Sequence, residues 1–423
     1  MREHTGAGHR AHAAGLAAFC LATATFAVQA RTIHVPTDVA TIQGAIDGAV
    51  NGDRVVVAAG TYLESIDFNG KAITVVSDKG PEVTIIDAGG QRSVVRFHTG
   101  ETRRSVLKGF TLRNGNAVDY PLDGGGVQIF QASPTVDGNI VTGSSACSGN
   151  GISIGFSSAV VRNNHVHENR QNGCGGGTVG GGILIGGDGA AEVTDNLIEN
   201  NQTDLAGGGI GMNSAGTPLI ARNIIRFNVA GNLGGGISAF NGSSPIAVNN
   251  VIHDNTAPFG GGVGVSVPSS FGGTWVNNTI ADNIGQSSGS DIYTQGFVEN
   301  MQFVNNIVRT TTGPYGIDCD STYSSTPPTF TSNDLFATRG TLLRGSCVNA
   351  LASGGNISAD PQFARERPRT AYRLTAGSPA IDAGVPTSVA GSTDAAGRPR
   401  VVDGNGDGAA VIDLGAYELK PPR

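Results

Sequence analysis

The side chains best able to do chemistry recur at one fixed place, three residues after an asparagine: His167, Glu199, Arg226, His253 and Arg309. Beside them stand Glu168, Asp254 and Asp282. If the asparagines mark successive coils of a solenoid, neighbouring coils lie about 4.8 Å apart and these residues form a column. Asp254 and Asp282 then become a carboxylate pair with His253 at its side, on the scale of a retaining glycosidase or a Ca²⁺ site. They are the candidate catalytic residues. The competing reading is a solvated face whose alternating charges favour coil stacking.

A second candidate lies near the C-terminus. Asp403-Gly404-Asn405-Gly406-Asp407-Gly408 places oxygen donors at positions 1, 3 and 5 with glycine at 6, the spacing that wraps a hard cation. Asp403, Asn405 and Asp407 are the candidate metal ligands, with Ca²⁺ as the expected ion. Position 12 is Leu414 rather than glutamate, so the loop departs from an EF-hand, and a plain Gly/Asp turn is the alternative.

The asparagines that set the column are Asn139, Asn164, Asn196, Asn223, Asn250, Asn278, Asn306 and Asn333, at intervals of 25, 32, 27, 27, 28, 28 and 27. Five residues on lies a second set, Asn169, Asn201, Asn228, Asn255 and Asn283. An apolar residue follows the first set by two places, and a glycine station such as Gly207-Gly208-Gly209-Ile210 precedes each next coil. This period predicts an all-β fold, a right-handed parallel β-helix of roughly nine or ten coils, each about 27 residues long. Each coil reads as strand, turn at asparagine, strand, turn at asparagine and glycine, strand, and a variable return. Asparagine and glycine are expected at the corners because a sharp bend needs positive φ, and stacked asparagines can bond coil to coil.

Composition agrees. Gly contributes 65 of 423 residues without a three-residue period, and Pro only 18, which excludes collagen. Aromatics are 6%, so the core must be built from Val, Ile, Leu and Ala. Apolar residues at 42, 45, 46, 49 and 50 give a helix-period stripe that predicts an N-terminal capping helix across the first coil.

Residues 1–30 read as a signal peptide: Arg2 and Arg10, an apolar run from Ala11 to Val28, then Val28-Gln29-Ala30 as a cleavage site. Its removal takes two Arg and one Glu and moves the formal charge from −7 to −8. An acidic surface disfavours nucleic acid, and no later stretch is long and apolar enough to give the mature chain a membrane span. Cys147, Cys174, Cys319 and Cys347 are spaced by 27 and 28, one coil each, which predicts the disulfides Cys147–Cys174 and Cys319–Cys347 in an exported, extracellular protein.

Thr41-Ile42-Gln43, Ala45-Ile46, Gly52-Asp53, Gly60-Thr61-Tyr62 and the asparagine-centred coils resemble the pectin-lyase-like right-handed β-helix superfamily, over roughly residues 32–345. The tail is similar to the C-terminal domain called choice-of-anchor Q in bacterial secreted β-helix proteins. It carries Ser378-Pro379-Ala380-Ile381-Asp382-Ala383-Gly384, Gly397-Arg398-Pro399-Arg400 and Asp413-Leu414-Gly415-Ala416-Tyr417-Glu418. The expected division is therefore 1–30 signal peptide, 31–345 β-helix and 346–423 a small C-terminal domain. In the tail family an anchor usually follows; here only Leu419 to Arg423 remain, which implies a released protein. The superfamily includes lyases, polygalacturonases, methylesterases, epimerases and non-catalytic surface proteins. The catalytic motifs of its methylesterases and polygalacturonases are missing, so no family catalytic residue carries over.

In the resembled fold substrate grooves follow the strand after the glycine station. Alternation turns Val127, Ile152, Ile183, Ile210, Ile237 and Val263 inward, leaving Gln128, Ser153, Leu184, Gly211, Ser238 and Gly264 outward, a column without acid or base. Phe130, Phe240, Phe259 and Tyr293 are the candidate substrate-binding residues, as stacking surfaces for sugars; local loop packing is the alternative. Two functions follow: a protein that binds or processes extracellular polysaccharide, or another cell-surface glycan, as lyase, hydrolase or epimerase; or a non-catalytic surface or matrix adhesion protein.

Overall fold

The computed structural model describes residues 1, 29–117, 124–171, 174, 178–266, 272–295, 301–322, 326–364 and 371–420. The expected signal peptide lies almost wholly outside the described residues. From Thr32 onward the chain winds as a right-handed parallel β-helix with three long parallel sheets. The first has 12 strands, from Thr32–Val35 to Thr329–Thr331. The second has 11, from Gly60–Tyr62 to Asp334–Ala337, and the third has 11, from Ile66–Asp67 to Thr341–Gly345. A smaller fourth sheet of four strands runs from Gln202–Thr203 to Ile284–Ser288, between the second and third.

Strict register explains why the period is so legible. Ile198 pairs with Ile225, Ile225 with Ile252, and Ile252 with Ile280, so one inward position stays apolar coil after coil. Aromatic residues fill the ends of this aliphatic core. Phe68 meets Phe97 with ring centroids 4.3 Å apart, while Trp275, Phe303 and Phe330 stack at 6.0 and 4.9 Å. The helix Ile42–Gly48 closes the N-terminal end by burying Ile42, Ala45 and Ile46; the Thr41 hydroxyl accepts from Gly44 N–H at its start.

The asparagines form two buried ladders. In the first, each Oδ1 accepts both the backbone N–H and the Nδ2–H of the asparagine one coil earlier, from Asn139 through Asn333 to Asn356. Each Nδ2 also donates to a carbonyl of the preceding coil, as Asn223 does to Val193 and Asn250 to Ile220, both at 2.8 Å. The second ladder runs from Asn169 to Asn283 and ends on Asp291, whose Oδ1 accepts from Asn283 N and Nδ2.

One expectation is corrected here. The ladder asparagines do not adopt positive φ; the residue just before each one does. At the first corner these are Gly138, Asn163, Asp195, Arg222, Asn249, Asn277, Asn305 and Ser332, and at the second Glu168, Asn200, Phe227, Asp254 and Asp282. The bend and the ladder need different residues, because the bent residue points outward and the ladder residue inward. The glycine station has a double cause: its first member, such as Gly207, has φ of +71°, and a Cβ on the second, Gly208, would stand 2.5 Å from Gly235 O of the next coil.

Both expected disulfides are present, with Cα–Cα distances of 5.4 Å for Cys147–Cys174 and 5.6 Å for Cys319–Cys347. No helix among the described residues is long and apolar enough to cross a membrane.

Two measurements check this account. Asn250→Ala strips Asn223 of the acceptor for two buried donors, and chemical denaturation is expected to show a loss of about 2–4 kcal/mol. Burial raises the Asp291 carboxyl from 3.8 to about 7, so its contribution is fully present below about pH 4 and is lost as pH rises through 7. Asp291→Asn keeps the ladder acceptor without the charge. Its melting temperature relative to the parent is expected to climb between pH 5 and pH 8, and an unchanging difference contradicts this.

Candidate functional site

The outer face of the second sheet carries the charged column, and its members are paired. Arg113 bonds Asp87 at 2.8 Å, Glu199 takes His165 at 2.8 Å and Arg226 at 2.6 Å, and Arg309 reaches Asp282 at 3.3 Å. Each of these pairs links two coils. His167, beside His165 with ring centroids 4.2 Å apart, is held below the ordinary imidazole range, first by burial and then by that neighbouring histidine.

Over the later coils this face is not open. The C-terminal segment folds back onto it, guided by the first-corner asparagines. Their left-handed backbone aims the side chains outward, and the segment supplies backbone partners. Asn249 Nδ2 donates to Ala390 O and Thr393 O, Asn277 Nδ2 to Asp413 O at 3.0 Å, and Asn305 exchanges two bonds with Val385 at 2.8 and 2.9 Å. Ile307 packs with Leu374, Ala380, Ile381 and Leu414; Val251 packs with Ala416 and Tyr417. Arg400, almost wholly buried, pairs with Glu418 at 2.9 Å and donates to Asn249 Oδ1 at 2.9 Å. Burial pushes the Glu418 carboxyl up to about 8 and the Asp413 carboxyl up to about 6.

Where this segment meets the second sheet a cleft of about 410 Å³ opens, lined by Asp282, Arg309 and Thr338 of the solenoid and by Asp360, Gln362, Phe363 and Tyr372 from beyond it. Tyr372 is its centre. Its hydroxyl donates to Asp282 Oδ2 at 3.0 Å and its ring lies 4.6 Å from the His253 ring and 5.2 Å from Phe363. Burial foremost, then the charges of Asp282 and Asp254, hold the phenol well above its ordinary pKa, so it acts as a hydrogen-bond donor. The Arg309 guanidinium lies 5.5 Å from the Phe363 ring centre.

The three candidate catalytic residues thus gather at one place, but not as a facing carboxylate pair. Asp254 and Asp282 are successive second-corner residues with φ of 54° and 59°. Asp254 Oδ2 bonds the Nδ1 of its neighbour His253 at 2.7 Å. Asp282 is held by Tyr372, by the Thr311 hydroxyl at 2.9 Å and by Arg309. The His253 side chain is only 5% exposed. Sequence reasoning missed Tyr372, Phe363 and Asp360 because they lie outside the repeat, where no period points at them.

The face expected to hold the groove is filled. Ser153, Leu184 and Ser238 of the third sheet are buried, and Tyr293 is 7% exposed. The turns that lead into the glycine stations fold over it: a Cβ on Gly211 would strike Val179 at 2.4 Å, and one on Gly264 would strike Leu233 at 2.6 Å. Phe240, Phe259 and Tyr293 belong to the cluster around Leu233 and Ala206, with Phe259 and Tyr293 ring centroids 5.1 Å apart. Tyr293 donates its hydroxyl to Asp320 at 2.9 Å. Phe130 packs edge-on against Phe156 at 6.0 Å.

At the tail loop, Asp403 accepts from Gly406 and Gly408 N–H at 2.6 and 2.9 Å, Asn405 Oδ1 from Asp407 N–H at 2.8 Å, and Asp407 Oδ1 from Ala409 N–H at 2.8 Å. Its oxygens close the turn through its own amides. No group of three His, Cys, Asp or Glu side chains suited to a metal occurs among the described residues.

Comparison with known proteins agrees with this architecture. Residues 97–280 and 176–335 match the family model described as "Right handed beta helix region". Among solved structures, XylC in complex with xylose superposes with a TM-score of 0.50 at 11% identity, covering 90% of this chain and 95% of that one. Pectate lyase Pel9A gives 0.48 at 16% identity over 92% and 96% of the two chains. The A-module of the Azotobacter vinelandii mannuronan C-5 epimerase AlgE6 gives 0.41 at 17% identity over 76% and 95%. No curated protein matches the chain. At these identities the likeness is one of fold.

Asn305→Gly retains the left-handed corner and removes the bonds to Val385. Hydrogen exchange is expected to quicken for residues 380–415, while amides around Asn223 stay protected. Equal protection throughout contradicts the docking role.

Proposed function

Because the chain belongs to the right-handed β-helix family, we propose that it is a carbohydrate-binding protein whose ligand sits in the cleft between the second sheet and the C-terminal segment. The observation that carries this reading is the lining itself. Tyr372 and Phe363 offer ring faces to the apolar side of a sugar, and Asp282, Asp360 and the Gln362 amide stand beside them to hold its hydroxyls. XylC, a protein of the same fold, was solved with xylose bound, which agrees with the ligand class.

Binding is favoured over turnover. Asp282 is held by three partners and Asp254 lies against its neighbour His253, so neither has the unpartnered approach of a nucleophile or general base. A non-catalytic surface or matrix adhesion protein is therefore the second reading, and turnover, whether cleavage by a lyase or hydrolase or inversion by an epimerase, the outcome that would displace both. Secretion is part of the proposal, supported by the two disulfides and by the charged and apolar N-terminal thirty residues; N-terminal sequencing of exported protein reads that boundary. Residues 346–423 are read as a choice-of-anchor Q-like domain, supported by the tail motifs. Ca²⁺ at Asp403, Asn405 and Asp407 is proposed on their oxygen-only donors, with Asn405 and Asp407 exposed and Asp403 half-buried.

Titration calorimetry of the whole chain against neutral and uronate oligosaccharides, with Ca²⁺ and with chelator, tests this. At least one class is expected to bind without turnover; Asp282→Asn and Tyr372→Leu are each expected to weaken it about three- to tenfold, through a lost hydrogen-bond acceptor and a lost stacking face respectively. Chelator is expected to lower the melting temperature. Binding unaffected by either substitution, or by neither class, would reject the cleft.

A further inference from the structure

The second corner places its bent residue in the left-handed region, and the described residues that there precede a ladder asparagine are polar with one exception. Glu168, Asn200, Asp254 and Asp282 fill it in their coils; in the coil between Asn200 and Asp254 the residue is Phe227, at φ 54°. An aromatic residue is an outlier in that conformation, where asparagine sits at least cost. The ring does not repay the strain by burial, since Phe227 remains 45% exposed.

Its neighbours show where it points. The Phe227 ring meets the His253 ring edge-on at 5.9 Å, His253 meets Tyr372 at 4.6 Å, and Tyr372 meets Phe363 at 5.2 Å. These four rings make one continuous strip from the solenoid corner into the cleft. Phe227 is its exposed end, and the Arg226 guanidinium lies 5.4 Å from its ring centre. Phe156 forms a useful contrast. It too is left-handed, at φ 49°, and 53% exposed, but its ring covers Gly187, where a Cβ would come within 2.6 Å of it, and abuts Phe130. Phe156 has a packing role that explains it.

From this we infer that Phe227 is an outer stacking subsite for the ligand of the cleft: a second pyranose ring of an oligosaccharide rests on Phe227 while the first lies against Tyr372. The inference rests on the cleft reading and adds that the ligand is an oligomer of at least two sugars. A monosaccharide fills the inner position alone, so the contribution of Phe227 appears only as the chain lengthens.

The test uses the whole chain and a length series of whichever oligosaccharide the wild-type protein binds. Phe227→Asn installs the residue that Asn200 supplies one coil earlier. It is expected to leave the melting temperature unchanged or about 1–4 °C higher, because strain is relieved. Affinity for the longer oligosaccharides is expected to fall about five- to tenfold, with no change for the monosaccharide. Phe227→Tyr is expected to retain affinity. Phe156→Asn is expected to lower the melting temperature and leave affinity alone. If Phe227→Asn binds every length as the wild type does, or loses several degrees of stability along with affinity, the subsite is overturned while the cleft reading stands. If wild-type protein binds no oligosaccharide, both fall together.

Discussion

The buried amide side chain of asparagine is the interaction on which this molecule depends. A polar group inside an apolar column is tolerated only when every donor and acceptor is matched. Here each asparagine meets that condition with the residue one coil away, so every rung requires the next at fixed height and position. The ladder is therefore a register device as well as a bond. It ties the coil spacing, and with it the apolar stacking and the placement of every outward side chain, to one repeating contact.

From that constraint the site follows. A ladder asparagine must be preceded by a left-handed residue, and such a residue faces solvent at the corner. Along the first corner the outward residues of the later coils are asparagines, which offer amides to a second backbone and so fasten the C-terminal segment. Along the second corner they are charged or aromatic: Asp282 lines the cleft, while Asp254 and Phe227 both contact His253, whose ring lies against Tyr372. The cleft arises where the fastened segment crosses the charged column, and neither part contains it alone.

This also explains what could be read from the sequence. The coil period, the sheet alternation, the capping helix around Ile42 to Ile46 and the two disulfides were all legible, because each is set by a contact that recurs at one coil's distance. The gathering of His253, Asp254 and Asp282 was legible for the same reason. Tyr372, Phe363 and Asp360 were not, since they reach the site by a single long-range docking that leaves no period. The covering of the third sheet's outer face was not legible, because alternation tells which side chains face outward, but not whether the turns carrying Val179 and Leu233 will fold over them. The bend was likewise assigned to the ladder asparagines rather than to the residues before them, because the two positions are adjacent and often both asparagine, as at Asn249-Asn250 and Asn277-Asn278.

The ligand surface we propose lies on the second sheet, completed by the C-terminal segment, and not on the third. A crystal structure of the chain with an oligosaccharide that it binds decides this most directly. The account predicts a sugar ring against Tyr372, within hydrogen-bond reach of Asp282 and Asp360. Sugar density over Tyr293 and the third sheet, with the Tyr372 cleft empty, would contradict it.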